Sequence, residues 1–165
     1  MENKNYFKKI KKEISKILIL GFIVGVAWYS SEHYYQLMMI SGDSMSPSFY
    51  SGQIVVLDKY SNHYEYEDVI AFRCDNLESV LVKRIVACPN DIIVIKEGTL
   101  YVNGTVSEAF SKETKFEYAG IAKNVIYLEE NQYFVIGDNV KESKDSRYLE
   151  IGCICEEDII GKVLE

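Results

Sequence analysis

Residues 79–105 read SVLVKRIVACPNDIIVIKEGTLYVNGT. Three apolar runs stand here: Val80 to Ala87, Ile92 to Ile95, and Leu100 to Val102. Each is rich in Val, Ile and Leu and too short for a globular helix. Turn signals separate them: Pro89-Asn90, Glu97-Gly98 and Asn103-Gly104. β-branched runs punctuated in this way are strands. Asn-Gly after Leu100-Tyr101-Val102 predicts a hairpin with a type I′ turn, because both central residues must adopt positive φ.

The same reading extends outward from this stretch. Residues 36–40, 53–58, 68–72, 79–87, 91–96, 99–102 and 132–136 are expected strands, and Glu156 to Ile159 a short helical turn. No amphipathic helix of 10–15 residues recurs between them, which argues against a parallel α/β sheet. The expectation is a mostly β fold, a folded sheet or barrel. Residues 97–131 are expected to include a more polar, less regular insertion.

The N-terminus is different. Residues 1–30 carry six Lys (Lys4, Lys8, Lys9, Lys11, Lys12, Lys16) against Glu2 and Glu13, whereas the whole chain is acidic, at net −7. An acidic body argues against a nucleic-acid partner, which requires a basic footprint. Residues 17–29, ILILGFIVGVAWY, are apolar and uncharged. That run is shorter than the roughly 20 residues a spanning helix needs, but snorkelling of Lys16 extends it. Trp28, Tyr29, Tyr34 and Tyr35 suit an interfacial aromatic belt. The expected organisation is a basic cytoplasmic segment (1–16), a single-pass membrane anchor helix (17–31) and an extracytoplasmic domain (32–165). The positive-inside rule gives the orientation, and the lipid bilayer is an expected partner. A cleaved signal peptide ending near Gly25-Val26-Ala27 and a buried core helix are the competing readings.

Three segments can carry chemistry. The first is Gly42-Asp43-Ser44-Met45-Ser46-Pro47, where Gly and Pro shape a turn that can expose a hydroxyl and aim backbone N–H groups. The second holds Lys83 among Val and Ile; a lysine buried there loses basicity and can act as a neutral base. The third, residues 137–147 (GDNVKESKDSR), concentrates Asp138, Asn139, Ser143, Asp145 and Arg147 in one loop, a supply of hydrogen-bonding groups for holding an amine. Taken singly, each segment also fits an ordinary turn, a surface lysine and a solvated loop. The only histidines are His33, at the expected membrane edge, and His63, in a polar loop, both read as surface residues, and no Gly-x-Ser-x-Gly, Ser-x-x-Lys or metal motif is present. Cys74, Cys88, Cys153 and Cys155 match no zinc or redox spacing, leaving disulfides or buried thiols open.

In this order, the three segments resemble the bacterial type I signal peptidases. Ser44-Met45-Ser46-Pro47 resembles the nucleophile box, Val82-Lys83-Arg84-Ile85-Val86 the Lys-Arg box, and GDNVKESKDSR the Gly-Asp-Asn … Ser-x-Asp-Ser-Arg box. Ile151-Gly152 and the residues from Asp158 to Val163 resemble the closing strand. The resemblance implies a membrane-bound serine endopeptidase without cofactor or metal, acting on secretory preprotein signal peptides and cutting after small residues. Ser44 is then the nucleophile and Lys83 the general base. Ser143 orients the lysine, and Asp138, Asn139, Asp145 and Arg147 support the site. The Ser44 N–H, with help from Gly42 or its neighbour, forms the oxyanion hole. Ile40, Met45, Phe49 and Val82 match residues lining the pockets for small side chains. Gly42 lacks the hydroxyl that some members place there, Val140 stands where Arg is frequent, and Cys88-Pro89-Asn90-Asp91 replaces the usual Gly-Asp continuation. A related protease that cleaves itself to switch transcription would need a DNA-binding N-terminal domain where this chain has an apolar run. A non-catalytic tethered protein on the same fold is the remaining alternative.

Overall fold

The computed structural model describes residues 2–110 and 114–164; the side chains of residues 2–9 and 30–33, His33 among them, lie outside that description. The chain opens with one helix, α1 (Glu2–Tyr34), which passes directly into β1 (Tyr35–Met39). β2 (Ile54–Asp58), β3 (Val69–Cys74), β4 (Ser79–Ala87), β5 (Ile92–Lys96), β6 (Thr99–Val102), β7 (Thr105–Val106), β8 (Ile126–Tyr127), β9 (Gln132–Ile136), β10 (Ile154–Cys155) and β11 (Ile159–Leu164) follow. The mostly β expectation holds. The seven expected strands all form, with ends displaced by no more than two residues at either terminus. Residues 156–158 form a short 3₁₀ turn.

A seven-stranded sheet runs β1-β2-β11-β3-β4-β9-β10, and a four-stranded sheet runs β7-β6-β5-β8. All the pairings are antiparallel. The chain turns from β6 to β7 at Asn103 (φ 51°) and Gly104 (φ 79°), the two positive φ values of the type I′ turn. Glu97 (φ 50°) and Gly98 (φ 71°) close the β5–β6 hairpin in the same way.

Period-two alternation sorts the large sheet into two faces. On β3, Ile70, Phe72 and Cys74 enter one cluster with Ile85, Tyr133 and Val135. Val69 and Ala71 face the other way and join Ile40, Met45, Phe49, Val55, Leu57 and Val163. A third cluster, with Val86, Ile93, Leu100, Phe116, Leu128, Phe134 and Ile136, joins the two sheets. Residues of the 97–131 stretch therefore belong to the core through Leu100, Phe116, Ala122 and Leu128.

The helix is longer than the 17–31 anchor expected from the apolar run, because the upstream Lys and Glu residues are good helix formers and extend it. Among the described residues, no helix is long and apolar enough to cross a membrane. All four cysteines are free thiols, with Cys74 buried.

Candidate active site

β4 carries Lys83 into the interior. β3 pairs along it, with Ile70 opposite Lys83 and Ala71 opposite Val82. Only 3% of Lys83 is exposed. Its amine donates to the Ser44 hydroxyl at 2.8 Å and to the Val82 carbonyl at 2.9 Å. Burial pushes the ammonium down from its ordinary 10.5 to about 8, against the opposing pull of the Asp145 and Asp138 charges. A charged amine loses its hydration inside the fold, so the neutral form is favoured. His63 is exposed and pairs with Glu65 at 3.1 Å; the group in contact with the Ser44 hydroxyl is the lysine.

Ser44 sits in a turn between β1 and β2. Met45, one residue on, is 1% exposed and plugs into the apolar cluster beneath β1, β2 and β3, so the turn is pinned from below. Ile40, Phe49 and Val82 meet Met45 in that cluster. The four residues matched to substrate pockets thus share one apolar wall, with Ile40, Met45 and Phe49 nearly covered. Gly42, at φ +84°, takes a backbone conformation that side-chain-bearing residues rarely adopt. Its N–H donates to the Ser51 hydroxyl at 3.2 Å.

The loop after β9 closes over the nucleophile turn. Asn139 N–H donates to the Ser44 carbonyl at 3.0 Å, and its side-chain amide donates to the Asp43 carbonyl at 3.2 Å. Asp138 takes a bidentate contact from Arg84, both bonds at 2.8 Å. Arg84 also donates to the Glu67 carbonyl at 2.7 Å. Asp145 and Arg147 form an internal pair, 0% and 2% exposed, at 2.8 and 2.9 Å. Arg147 further donates to the carbonyls of Tyr118, Val140 and Ser143, and Asp145 accepts from Gly137 N–H. With so many hydrogen bonds, this buried pair acts as a rivet that fixes the loop. Ser143 is 2% exposed, and its hydroxyl has no hydrogen-bond partner among the described residues.

Two residues escaped the sequence reading. Arg84 was visible only as part of a motif, with no partner to give it a role. Gly137 was read as the loop's first letter, yet a Cβ there would overlap the Ser143 hydroxyl and the Ser44 carbonyl. Its role is to have no side chain, which sequence spacing does not reveal. A cavity of about 810 Å³ lies elsewhere, beside Tyr101 and Val106 of the second sheet and Phe110 and Phe116, and neither Ser44 nor Lys83 lines it. A smaller cleft of about 500 Å³ borders Ser46, Pro47, Asp138 and Asn139.

A family model described as signal peptidase, peptidase S26, matches residues 13–165. Signal peptidase I U of Bacillus subtilis (strain 168) is 30% identical over 172 residues, 98% of this chain and 91% of its own length. Signal peptidase I V of the same organism is 33% identical over 138 residues, 75% of this chain and 80% of its own. The crystal structure of a signal peptidase I from Enterococcus faecalis V583 aligns with 62% of this chain and 97% of its own, at TM-score 0.49 and 26% identity. The family model spans all three boxes and the relatives align along most of their length, so the chain belongs to the signal peptidases of family S26 and is a serine endopeptidase of the bacterial type I kind.

Proposed function

We propose that this protein removes N-terminal signal peptides from exported preproteins, cutting after small residues, with Ser44 as nucleophile and Lys83 as general base. The observation that carries the reading is the 2.8 Å contact between the Ser44 hydroxyl and a lysine amine that is almost wholly buried. With the amine neutral, the same contact runs in reverse, and Lys83 accepts the hydroxyl proton as Ser44 Oγ bonds to the scissile carbonyl carbon. The carbonyl oxygen becomes an oxyanion. When the C–N bond breaks, Lys83 returns its proton to the leaving amine, and the signal peptide is left as an ester on Ser44. Water then attacks the ester with Lys83 again taking the proton; as the C–O bond to Ser44 breaks, Lys83 returns that proton to Ser44 Oγ, and the signal peptide leaves with a free carboxyl end. Ser143 is assigned to orient the neutral amine: its buried hydroxyl makes no hydrogen bond among the described residues and so stays available to Lys83.

The substrate strand has a place to lie. β3 pairs with β4 from Ser79 to Arg84, whereas β9 reaches only Arg84, Ile85 and Ala87. The β9-facing edge of β4 before Lys83 therefore has no strand beside it among the described residues. An extended peptide added there lies beside Ser44 and the partly buried Val82, with Ile40, Met45 and Phe49 packed behind them, an arrangement that suits small side chains.

The anchor belongs to the same reading. The apolar residues of α1 are exposed on all sides, among them Ile17 at 70%, Leu18 at 68%, Phe22 at 74%, Ile23 at 56% and Trp28 at 66%. Side chains this apolar and this open form a surface that calls for lipid. The lysines before the run keep the N-terminus cytoplasmic and the β domain outside. Leu37 and Met39 on β1 and Ile54 on β2, each at least 66% exposed, continue the apolar surface toward the site. Processing of a secretory preprotein by the wild type, Ser44→Ala and Lys83→Ala, each in vesicles, tests the assignment. Cleavage retained by Ser44→Ala overturns the mechanism.

A further inference from the structure

The backbone groups around Ser44 are held from one side by a single residue. Asp43 and Ser44 share a peptide plane, in which the Asp43 carbonyl and the Ser44 N–H point in opposite directions. Fixing the carbonyl therefore aims the N–H. The Asp43 carbonyl accepts from Ser46 N–H at 3.1 Å and from the Asn139 side-chain amide at 3.2 Å. A carbonyl oxygen only accepts, so the Asn139 atom facing it is the amide nitrogen. The next carbonyl, that of Ser44, accepts from the Asn139 main-chain N–H at 3.0 Å. Both peptide planes that flank the nucleophile thus end on Asn139.

The Ser44 N–H itself donates to no described residue. The neighbouring candidate donor, Gly42 N–H, is engaged by the Ser51 hydroxyl. Nothing lies within 4 Å of where a Gly42 Cβ would stand, so no side chain extends there. An oxyanion formed on attack by Ser44 has one uncommitted backbone donor at the nucleophile, and the direction of that donor depends on the peptide plane Asn139 holds.

The geometry points to Asn139 as the positioning residue of the oxyanion hole: its side-chain amide, through the Asp43 carbonyl, aims the Ser44 N–H at the developing negative charge. The inference rests on the reading of Ser44 as nucleophile. It also explains why the loop after β9 is clamped so heavily, with Asp138 on Arg84 and Asp145 on Arg147 bracketing the segment that carries Asn139.

The test uses the full chain in detergent micelles, a signal-peptide substrate, and a peptide aldehyde with alanine before the reactive carbonyl. The aldehyde forms a tetrahedral adduct on Ser44 and so reads the oxyanion site directly. Asn139→Ala should lower kcat about 10- to 100-fold with KM within about twofold, a misaimed donor costing somewhat less than a deleted one. Aldehyde affinity should fall by the same factor. Asn139→Asp, the same shape with an acceptor facing the carbonyl, should behave alike and replaces the alanine variant if that variant does not fold. Unchanged turnover, or reduced turnover with unchanged aldehyde affinity, overturns the inference, as does a rise in KM alone. Ser44→Ala is the separate arm: cleavage or covalent aldehyde capture by that variant refutes the nucleophile itself, whatever Asn139 does.

Discussion

Gly137 lies so close to Ser143 that a single methyl group at Gly137 would overlap the Ser143 hydroxyl, and would also meet the Ser44 carbonyl. The loop backbone therefore packs directly against the nucleophile turn and Ser143. Gly137→Ala must push either the nucleophile turn or Ser143 out of place. Displacement of about 1 Å at reacting groups costs about 100-fold in rate. We expect a fall of that order in kcat/KM, with overpacking destabilising the fold by about 1–3 kcal/mol. Cleavage assays and thermal unfolding of the same preparation measure both. Activity within threefold of wild type would show that the loop yields without moving the chemistry.

Burial lowers Lys83 to about 8, so its neutral form grows as pH rises through that value. The rate of cleavage should rise with pH and level off above about 8, following one deprotonation. Asp138 and Asp145 raise the lysine pKa against the dominant effect of burial. Asp138→Asn removes one of those negative charges and should move the rise to lower pH. A rise displaced to higher pH in that variant would contradict the electrostatic account.

The same burial has a cost in stability. An unfolded lysine titrates near 10.5 and the folded one near 8, so the folded state resists protonation. The sign follows: the penalty is fully present below about pH 8 and is relieved as pH rises toward 10.5. A depression of that size corresponds to about 3 kcal/mol. Lys83→Met, of similar length and apolar, should be inactive yet harder to unfold at pH 7, with the advantage shrinking toward pH 10. Denaturant titrations at both pH values check this. Equal or lower stability at pH 7 would mean that the polar surroundings stabilise the ammonium more than burial opposes it.

The strands were legible because each apolar run is short and ends at a Gly, Pro or Asn turn, as at Asn103-Gly104. The short partners β7, β8 and β10 were not legible. Two residues such as Ile126–Tyr127 carry no periodicity, and they become strands only because β5 offers an edge. At the site, Ser44 and Lys83 were identified as residue types in an ordered pattern, but Lys83 burial depends on β3 and on the loop after β9, which sequence does not place. Contacts through backbone were invisible for the same reason. Nothing in the letters GDN says that Asn139 reaches the Asp43 carbonyl or that Ser51 occupies the Gly42 N–H.

Arg84 offers a check on how the loop is held. Its two bonds to Asp138 use the fork of the guanidinium, and both side chains are mostly covered, at 14% and 10% exposure. Arg84→Lys keeps the charge but loses the paired geometry. We expect about 1–3 kcal/mol of destabilisation and reduced turnover, because the loop that positions Asn139 and Ser143 loosens. Arg84→Lys with wild-type unfolding and wild-type kcat would show that the Asp145–Arg147 pair holds the loop alone.

The membrane reading turns on what covers α1, and the chain carries its own probe. Trp28 is the single tryptophan, 66% exposed near the end of the apolar run. If the run lies in lipid with its aromatic end at the surface, bromine carried high on the acyl chains should quench Trp28 fluorescence more than bromine near the bilayer centre. Lys16, 61% exposed at its side chain and paired with Glu13, marks the other end. An anchor that depends on lysine snorkelling should tolerate Lys16→Leu, which lengthens the apolar run, and suffer from Ile23→Lys, which places a charge at its middle. Vesicle flotation reads both variants. Trp28 unquenched at every depth, or Ile23→Lys floating like wild type, would remove the bilayer from this account and leave the peptidase site standing without it.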